Sequence, residues 1–458
     1  FGRVAFSPDG DVTRDLLFGK GVRMYINFSQ LFFLLSPKQM ARTTTDIDKA
    51  FTETLAGIDL DTYLPKEKFS VVRWRSIIPL GLRTLLRAGH LIPMWIRSAV
   101  WSQRFYERTY IPQAKQTIAF FKEPVDEKIP LPTYRTISEA KLQEYFQVAF
   151  PMIRQYVASL AKLHDVLKDE AVDIQLLGGE LTKGVEGDEA VAMSIALYRL
   201  SSLLTAEDFA DIDTLAARLY NKELPTEFIT AWQSFLEDYG SRAPNEMEMA
   251  NPRYVDDPRI ALEQMSFMRH SQQQPATLLQ ENVKKKHEAY QALLKRLPKA
   301  KARQLKKLFA ITSTFSAARN TFKYVIILQL GHLRKLILRD AKAFVAAGRL
   351  QTESDIFFLT FTEIDTAHQD VAIDLQMLVA KRKPFHEHAV KTITTFPPLI
   401  DSRGRIPGID SSPTGSSHNE PNVFQGHGIS RGVATGRIKV LRHPREKPIE
   451  PGDILVTY

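Results

Sequence analysis

The chain has 458 residues, of which 44% are hydrophobic and 25% are charged, as in an ordinary soluble globular protein. A single hydrophobic core rarely serves more than about 250–300 residues, so this length predicts at least two structural units. The sequence contains no cysteine, which excludes disulfides, cysteine-based zinc sites and thiol nucleophiles. The absence of cysteine fits a cytoplasmic protein.

The formal net charge is +9, and the excess of lysine is concentrated in Asn282–Phe309. A basic helix could contact nucleic acid or an anionic membrane, but a solvated helix face is the simpler interpretation. No aromatic residues are interleaved as a stacking platform for single strands requires, so we expect no nucleic-acid partner. The most apolar long segment, Ser76–Trp101, is interrupted by three arginines. It predicts an amphipathic helix and no membrane span.

Along the chain, residues 1–20 have the composition of a linker, and no initiator methionine precedes them. We therefore expect the chain to be an internal piece of a longer protein. Residues 21–395 begin with a short alternating stretch and then show apolar residues mainly at helical spacing. The fold class is predicted to be mainly α, a helical bundle that binds a substrate. Its clearest predicted helices are Ser138–Leu167, Asp188–Leu204, Leu224–Gly240, Asn282–Phe309 and Ser313–Gly348.

Three residues predict details of these helices. Ser138, followed by an acidic residue, is a candidate N-cap for its helix. Pro151 should kink or divide the same helix, because proline lacks the backbone N–H that an inner turn needs. Asp188 is a candidate N-cap after the glycine-rich turn in Leu176–Val191. That turn could also receive an anion on its backbone N–H groups, although it has neither a Walker nor a dinucleotide spacing.

After the helices, residues 396–422 are rich in proline, glycine and serine and have no period, which predicts a linker. Residues 423–458 then show β signals: "GRIKVL" alternates, and "GDILVTY" follows a Pro-Gly turn. We expect a second, β-containing domain here that is truncated at Tyr458.

Arg319 and Lys323 are four residues apart in a predicted helix, so both project from one side of it. Two cations held together favour an anionic partner, and a phosphate would suit both side chains. The alternative is that each one pairs with an acidic side chain of the fold.

The segment Tyr239–Arg259 has no period and mixes acidic and basic residues. Loops between helices often carry function, and Arg242, Glu246 and Glu248 are the candidates here. The two glutamates could hold a metal or act as a base, but a salt-bridged loop anchor is an equally good interpretation. The pair His386 and His388 cannot share a helix face and lacks a third ligand, so no metal site is predicted.

The last stretch of the chain resembles the start of the phosphohistidine swivelling domain of phosphoenolpyruvate-utilising enzymes. The matching residues follow a Gly-x-x-x-Ser-x-Gly-x-x-x-Gly pattern and a later Gly-Asp-Ile-Leu-Val: Gly426, Ser430, Gly432, Gly436 and Gly452–Val456.

The helical part is similar to the central domain of rifampicin phosphotransferases and their phosphoenolpyruvate-synthase-like relatives. The similarity rests on "YGSRAPNEMEMANPRYVDDP", on "SDIFFLTFTEI", on "LTKGVEGDEAVAMSIAL" and on "ARNTFK", which carries the family's Arg-x-x-x-Lys. The chain departs from the family pattern at Ala243 and Asn245, where glycines are usual, and at Glu248, where aspartate is usual.

This resemblance implies an ATP-dependent phosphotransferase in which a phosphohistidine carries the phosphoryl group to a small-molecule acceptor. Arg319 and Lys323 would then neutralise the phosphoryl group, and Arg242, Glu246 and Glu248 would line the acceptor site. ATP and Mg²⁺ would bind outside this chain, on an ATP-grasp domain of the same polypeptide.

The resemblance also implies that the phosphohistidine lies beyond Tyr458, so no catalytic residue is named here and the fragment alone is expected to be inactive. The acceptor could be rifampicin, pyruvate or another hydrophobic small molecule. A different class of protein remains open: a degenerate homologue that only binds a small molecule or docks a partner.

Overall fold

A computed structural model describes residues 3–6, 17–20, 23–27, 102–270, 274–392, 399–401, 434–441, 446 and 449–457. The described part is mainly α, as the helical spacing predicted. No helix within these ranges has the length and apolar character needed to cross a membrane. The predicted amphipathic segment at 76–101 lies outside the described residues.

Twelve α-helices occur in the described part of the chain, and we number them in chain order. They are α1 (Ser102–Phe105), α2 (Ile111–Lys122), α3 (Leu131–Leu167), α4 (Val172–Glu180), α5 (Glu189–Ser202), α6 (Ile212–Tyr220), α7 (Thr226–Tyr239), α8 (Arg259–His270), α9 (Pro275–Arg296), α10 (Lys299–Ala346), α11 (Phe361–Gln369) and α12 (Leu375–Thr392). A π-helical turn, Tyr106–Tyr110, follows α1, and 3₁₀ turns occur at Glu207–Ala210 and Glu353–Phe358.

Helix α3 begins earlier than predicted, and Ser138 is not its N-cap. Pro130 is the N-cap, and Pro132 stands in the first turn, where a missing N–H costs nothing. The buried Ser138 hydroxyl instead donates to the carbonyl of Arg135 at 3.0 Å and accepts from Gln329 at 3.0 Å. Gln329 belongs to α10, so this serine connects two helices.

Pro151 does not divide α3, which runs through it as one helix of 37 residues. Its neighbours Ala149 and Met152 are both fully buried in the core. Their packing holds the chain on both sides of the proline, which offsets the one backbone hydrogen bond that proline removes.

The predicted basic helix Asn282–Phe309 is divided between α9 and α10. The chain breaks at Leu297 and Pro298, because the residue before a proline is driven to an extended conformation. Helix α10 therefore starts at Lys299 and takes in the second half of the basic segment. The result is a single helix of 48 residues.

The helices enclose four clusters of buried apolar side chains. One lies between α2, α3 and α10, and a second lies among α5, α6, α7 and α8. A third joins the end of α10 to α11 and α12, and a fourth joins the end of α3, α4 and α9 to the start of α10. Helices α3 and α10 each contribute to three of the four clusters, so these two long helices are the common elements of the helical core.

Six strands complete the described structure: β1 (Arg3–Phe6), β2 (Leu17–Lys20), β3 (Arg23–Asn27), β4 (Leu399–Asp401), β5 (Arg437–Leu441) and β6 (Asp453–Thr457). The first four form a sheet in the order β2-β3-β1-β4, where β2 is antiparallel and the other pairs are parallel. Strands β5 and β6 pair in parallel, as the alternation near the chain end indicated. Strands β1, β2 and β4 fall in segments interpreted as linkers, and the domain boundaries themselves stay predictions.

Gly331 allows α10 to approach the segment that follows α7. A Cβ at this position would lie 2.6 Å from the Ser241 Oγ and 2.9 Å from its Cβ. We expect Gly331→Ala to lower the free energy of unfolding by about 1–3 kcal/mol, because the clash outweighs alanine's better helix propensity. Urea denaturation measures the change.

The control is Gly179→Ala, at a helical position where an added Cβ would meet nothing within 4 Å. That variant should be as stable as the parent or up to about 1 kcal/mol more stable. A Gly331→Ala protein that is equally stabilised would contradict the close approach.

Candidate functional site

The loop between α7 and α8 is folded back on itself. The Tyr254 N–H donates to the carbonyl of Arg242 at 3.0 Å, and the Val255 N–H donates to the carbonyl of Gly240 at 3.1 Å. These two hydrogen bonds close the loop at its base. The residues between them form a closed loop that contacts α10. We call residues 240–258 the site loop.

Glu246 is the centre of the polar contacts in the site loop. Its Oε2 lies 2.5 Å from Nε of Arg242 and also accepts the N–H of Ala243 at 3.3 Å. Its Oε1 lies 2.8 Å from Nζ of Lys323 on α10. The side chains of Glu246 and Arg242 are only 5% and 8% exposed. A single buried carboxylate therefore joins two of the predicted site groups, one on the loop and one on the helix.

The charge on Glu246 is stabilised by its partners. Burial disfavours ionisation, but the hydrogen bonds from Arg242 and Lys323 outweigh it and hold the pKa of Glu246 below its ordinary value. The carboxylate is therefore ionised at neutral pH, and it serves as an acceptor for the two cations. It is not set up as a base, because its lone pairs already receive three donors.

The other predicted site residues are Lys323 and Glu248, which are both less buried than Glu246, and Arg319. Lys323 is 52% exposed, so one face of its ammonium group meets solvent while the other meets Glu246. Arg319 is placed four residues earlier on α10, and its side chain lies outside the described part of the structure. Glu248 is exposed, and its Oε1 accepts the N–H of Ala250 at 3.0 Å. The structure therefore brings Arg242, Glu246 and Lys323 together and leaves Glu248 at the surface.

A second anchor holds the other end of the site loop on α10. Nε of Arg334 donates to Oδ2 of Asp256 at 3.0 Å, and its Nη1 donates to the carbonyl of Met249. The backbone N–H of Arg253 donates to the same Asp256 oxygen at 2.8 Å. Together with the Lys323–Glu246 pair, these contacts fix the loop at two positions about three turns apart on one helix.

Ala243 and Asn245, where the family pattern has glycine, both lie in the site loop. Asn245 has a φ of 55°, in the left-handed region that glycine enters freely and that asparagine tolerates better than most residues. Ala243 is buried and offers its N–H to Glu246. The departures noted in the sequence thus retain a backbone that a glycine would also adopt.

Several residues that the sequence did not single out surround this cluster. Asp238 pairs with Lys122 at 2.5 Å, and its carbonyl accepts the hydroxyl of Tyr324 at 2.7 Å. Asn320 of α10 donates to Asp188. The ends of α2 and α7 and the start of α5 therefore meet α10 between Asn320 and Tyr324. Only Asp188 carried a recognisable signal, as a helix cap; the others are far apart in sequence.

The glycine-rich turn before α5 forms a helix entry. The Asp188 side chain accepts the N–H groups of Ala190 and Val191, as expected of the N-cap. Gly184 and Gly187 both have positive φ, and the Gly184 carbonyl accepts Nζ of Lys286 at 2.6 Å. The helix N–H groups that could receive an anion are thus already occupied by a side chain of the protein.

Aromatic side chains lie beside the cluster on the surface formed by α3 and α10. Phe322 precedes Lys323, and its ring centroid lies 4.9 Å from that of Phe146 and 5.7 Å from that of Phe150. Phe150 is 46% exposed. This aromatic patch offers partly exposed apolar contact area on α3 and α10.

Two further features of the described residues bear on binding. A cavity of about 570 Å³ lies between α3 and the start of α10, and none of the five predicted site residues lines it. No group of three or more potential metal ligands occurs in the described ranges of the chain.

Comparison with known proteins relates the chain to a family. The rifampicin phosphotransferase fourth domain matches residues 147–320, a range that includes the site loop and ends three residues before Lys323.

Curated relatives agree with this match. Rifampicin phosphotransferase from Bacillus subtilis is 25% identical over 49% of this chain and 26% of its own length. An uncharacterised phosphotransferase, YvkC, from the same organism is 22% identical over 69% of this chain and 39% of its own length. Prodigiosin synthesizing transferase PigC from Serratia marcescens is 24% identical over 51% of this chain and 27% of its own length.

These matches confirm the predicted resemblance of this chain to rifampicin phosphotransferases. Several of these relatives are named as rifampicin phosphotransferases. The alignments with the first relatives span about a quarter of their length, 26% and 27%.

Glu246→Gln tests whether the buried carboxylate holds the loop. Removing its charge leaves the buried Arg242 guanidinium without a counter-ion, so we expect a loss of about 3–5 kcal/mol in the free energy of unfolding. Glu248→Gln is the matched control, because Glu248 is an exposed glutamate on the same loop and should change stability by less than about 0.5 kcal/mol. Equal effects in the two variants would contradict the assignment.

The lowered pKa of Glu246 also predicts how the stability of the parent depends on pH. Because the folded-state pKa of Glu246 is lowered, its stabilising contribution is present above the unfolded value of 4.5. The contribution is lost as the pH falls below 4.5 through the folded-state pKa. Denaturant unfolding between neutral and acidic pH should therefore show a smaller acid loss of stability in Glu246→Gln than in the parent.

Proposed function

We propose that this chain supplies the acceptor-binding region of an ATP-dependent phosphotransferase. In this proposal, a phosphohistidine on a swivelling domain delivers a phosphoryl group to a small-molecule acceptor bound on the helical region. The observation that carries the proposal is the Glu246 carboxylate, which binds Arg242 of the site loop and Lys323 of α10 together.

This arrangement supports a role in binding an incoming phosphoryl group. Lys323 has three N–H donors, and Glu246 accepts from only one side of the group, so donors remain for a phosphate oxygen. Arg319, on the same side of the helix by its spacing, would add a guanidinium that suits phosphate geometry. Charge stabilisation of this kind supplies most of the catalysis in phosphoryl transfer.

The aromatic patch supports a hydrophobic acceptor. Phe146, Phe150 and Phe322 pack together where α3 meets α10, and Phe322 directly precedes Lys323 in the chain. An apolar molecule could rest on these rings with its reactive group toward the cations of α10. Arg242 and Glu246 would not contact the acceptor directly, but would hold Lys323 in position through the Glu246 carboxylate. Glu248, at the surface of the loop, would contact the acceptor only from the solvent side.

The other parts of the reaction would come from outside this chain. ATP and Mg²⁺ would bind an ATP-grasp domain of the same polypeptide, and the phosphohistidine would follow the strands β5 and β6. The relatives named as phosphotransferases are longer than the matched region, which is consistent with such additional domains. No observation specifically favours the alternative of a non-catalytic binding module.

Lys323→Ala and Arg319→Ala test the phosphate-binding role in the full-length protein. Each should reduce phosphoryl transfer to the acceptor by at least about 10²-fold, since each removes a charge that the transferring group needs. The measurement is the transfer of radioactive phosphate from ATP.

Lys335→Ala is the control for Lys323→Ala. Lys335 lies further along α10, is 51% exposed and also forms an ion pair, with Glu127 at 2.8 Å. It should leave transfer unchanged. If Lys323→Ala and Arg319→Ala also keep full turnover, the phosphate-binding assignment is wrong.

The acceptor class can be tested by thermal shift on the same protein. A ligand that binds only the folded state raises the melting temperature, by an amount equivalent to about 2.7 kcal/mol at a hundredfold excess over its Kd. We expect rifampicin to do so and pyruvate to have a smaller effect. A shift with pyruvate alone would contradict the hydrophobic acceptor.

A further inference from the structure

The cavity between α3 and the start of α10 has no part in the proposed function. Its volume is about 570 Å³. On α3 its lining residues recur every three or four positions from Gln155 to Val166, and on α10 they do so from Lys301 to Ile311. Residues at this spacing share one side of a helix, so one face of each helix forms a wall of the cavity.

The inner surface of the cavity is apolar. Val166 and Leu308 belong to the apolar cluster at the end of α3, and Ile311 belongs to the cluster between α2, α3 and α10. The cavity therefore lies where two parts of the core adjoin. Ala158 and the buried Ser159 are small side chains that fill little of the space beside α3. The volume falls within the range of small-molecule pockets, roughly 300–1,000 Å³.

The polar part of the lining carries an excess of positive charge. Three lysines and one aspartate line the cavity. Nζ of Lys301 lies 2.5 Å from a carboxylate oxygen of Glu170, and Asp165 pairs with the lysine three positions later at 3.4 Å. Among the described residues, no carboxylate pairs with Lys162 of α3 or with Lys307 of α10, and both lysines are exposed. One cation on each wall is thus left for a ligand.

We propose that this cavity binds an organic acid that has an apolar chain and an anionic head group. The chain would lie against Val166, Leu308 and Ile311, and the head group would accept hydrogen bonds from Lys162 and Lys307. Burial of the chain would supply affinity, and the two ammonium groups would select a negative charge. The site goes beyond the proposed function, because no residue assigned to phosphate or acceptor binding lines it.

Both features of the lining are needed to define this ligand. A cationic amphiphile would place its head group beside Lys162 and Lys307, where like charges repel. A small polar anion would leave the apolar inner surface uncovered and would gain nothing from its burial. A molecule with an apolar chain and one anionic end satisfies both parts of the cavity.

Octanoate and octanol test the ligand class in the full-length protein, because they share an apolar chain and differ in the head group. Isothermal titration calorimetry measures the Kd of each. Octanoate should bind at least about tenfold more tightly than octanol, since only octanoate offers a charged acceptor to the two lysines. Equal affinities for the two probes would overturn the anionic head group.

The double variant Lys162→Gln, Lys307→Gln tests the two lysines. It should weaken octanoate binding by about tenfold or more and leave octanol binding unchanged. The matched control is Lys285→Gln, Lys306→Gln, which removes the same charge from two exposed lysines outside the cavity lining. The control should keep the affinity of the parent. Melting temperatures report whether both variants are folded.

Thiol labelling locates the bound probe, because residues 1–458 contain no cysteine. Ala158→Cys introduces a thiol into the cavity lining, and Ala310→Cys introduces one at an exposed position of α10 outside it. Octanoate at ten times its Kd should slow alkylation of the first thiol by iodoacetamide about tenfold, since only the unoccupied fraction reacts. The second thiol should react at an unchanged rate. Mass spectrometry of the labelled peptides distinguishes the two sites.

The outcomes decide the proposal without reference to catalysis. Selective octanoate binding that is weakened only in the cavity-lysine variant, and that protects the thiol at position 158, supports the site. Absence of octanoate binding, equal weakening in the two double variants, or binding without protection at position 158 overturns it. None of these measurements involves ATP or phosphoryl transfer, so a negative result leaves the proposed function standing.

Discussion

The length of α10 is the constraint on which the rest of the helical structure depends. Its 48 residues span about 72 Å at 1.5 Å per residue, more than a single small core requires. Three of the four apolar clusters include residues from this one helix. The site loop, the start of α5 and the end of α2 are positioned relative to each other because each of them contacts α10.

Charge pairing explains why the site loop has a defined shape without regular secondary structure. A buried carboxylate is tolerated only when cations and hydrogen-bond donors replace the water it has lost. Glu246 meets this requirement by drawing Arg242 from its own loop and Lys323 from α10. At the far end of the loop the charges are reversed, because the buried Arg334 of α10 pairs with the exposed Asp256. The loop is thus fixed by a small number of ionic contacts that all terminate on one rigid helix.

The sequence predicted the parts of this structure that depend on local signals. Helical spacing gave the mainly α fold, Asp188 was identified as an N-cap, and strands were expected at β5 and β6. Ser138 was assigned wrongly because a cap and a buried hydroxyl look alike in sequence, and only the packing of α3 against α10 separates them. The two readings of Lys323, as an ion-pair partner or as a phosphate ligand, turned out to be compatible, since it pairs with Glu246 while half exposed.

The part of the site that could not be predicted depends on contacts between distant residues. Lys122 and Asp238 are 116 positions apart, and Asn320 and Asp188 are 132 apart. No periodicity or motif reports such pairs, because they form only when α2, α5 and α7 pack at the same stretch of α10.

The unequal exposure of the two cations on Glu246 has a consequence for how the cluster responds to its medium. Dissolved ions screen an exposed charge pair strongly and a buried one weakly. Arg242, which is 8% exposed, stays bound to the carboxylate as ionic strength rises, whereas Lys323, at 52%, loosens first. An arriving anion would compete for the same lysine in the same way. The Lys323–Glu246 contact is therefore the one that breaks first. The Arg242–Glu246 contact persists and keeps the loop in the conformation that binds the lysine again.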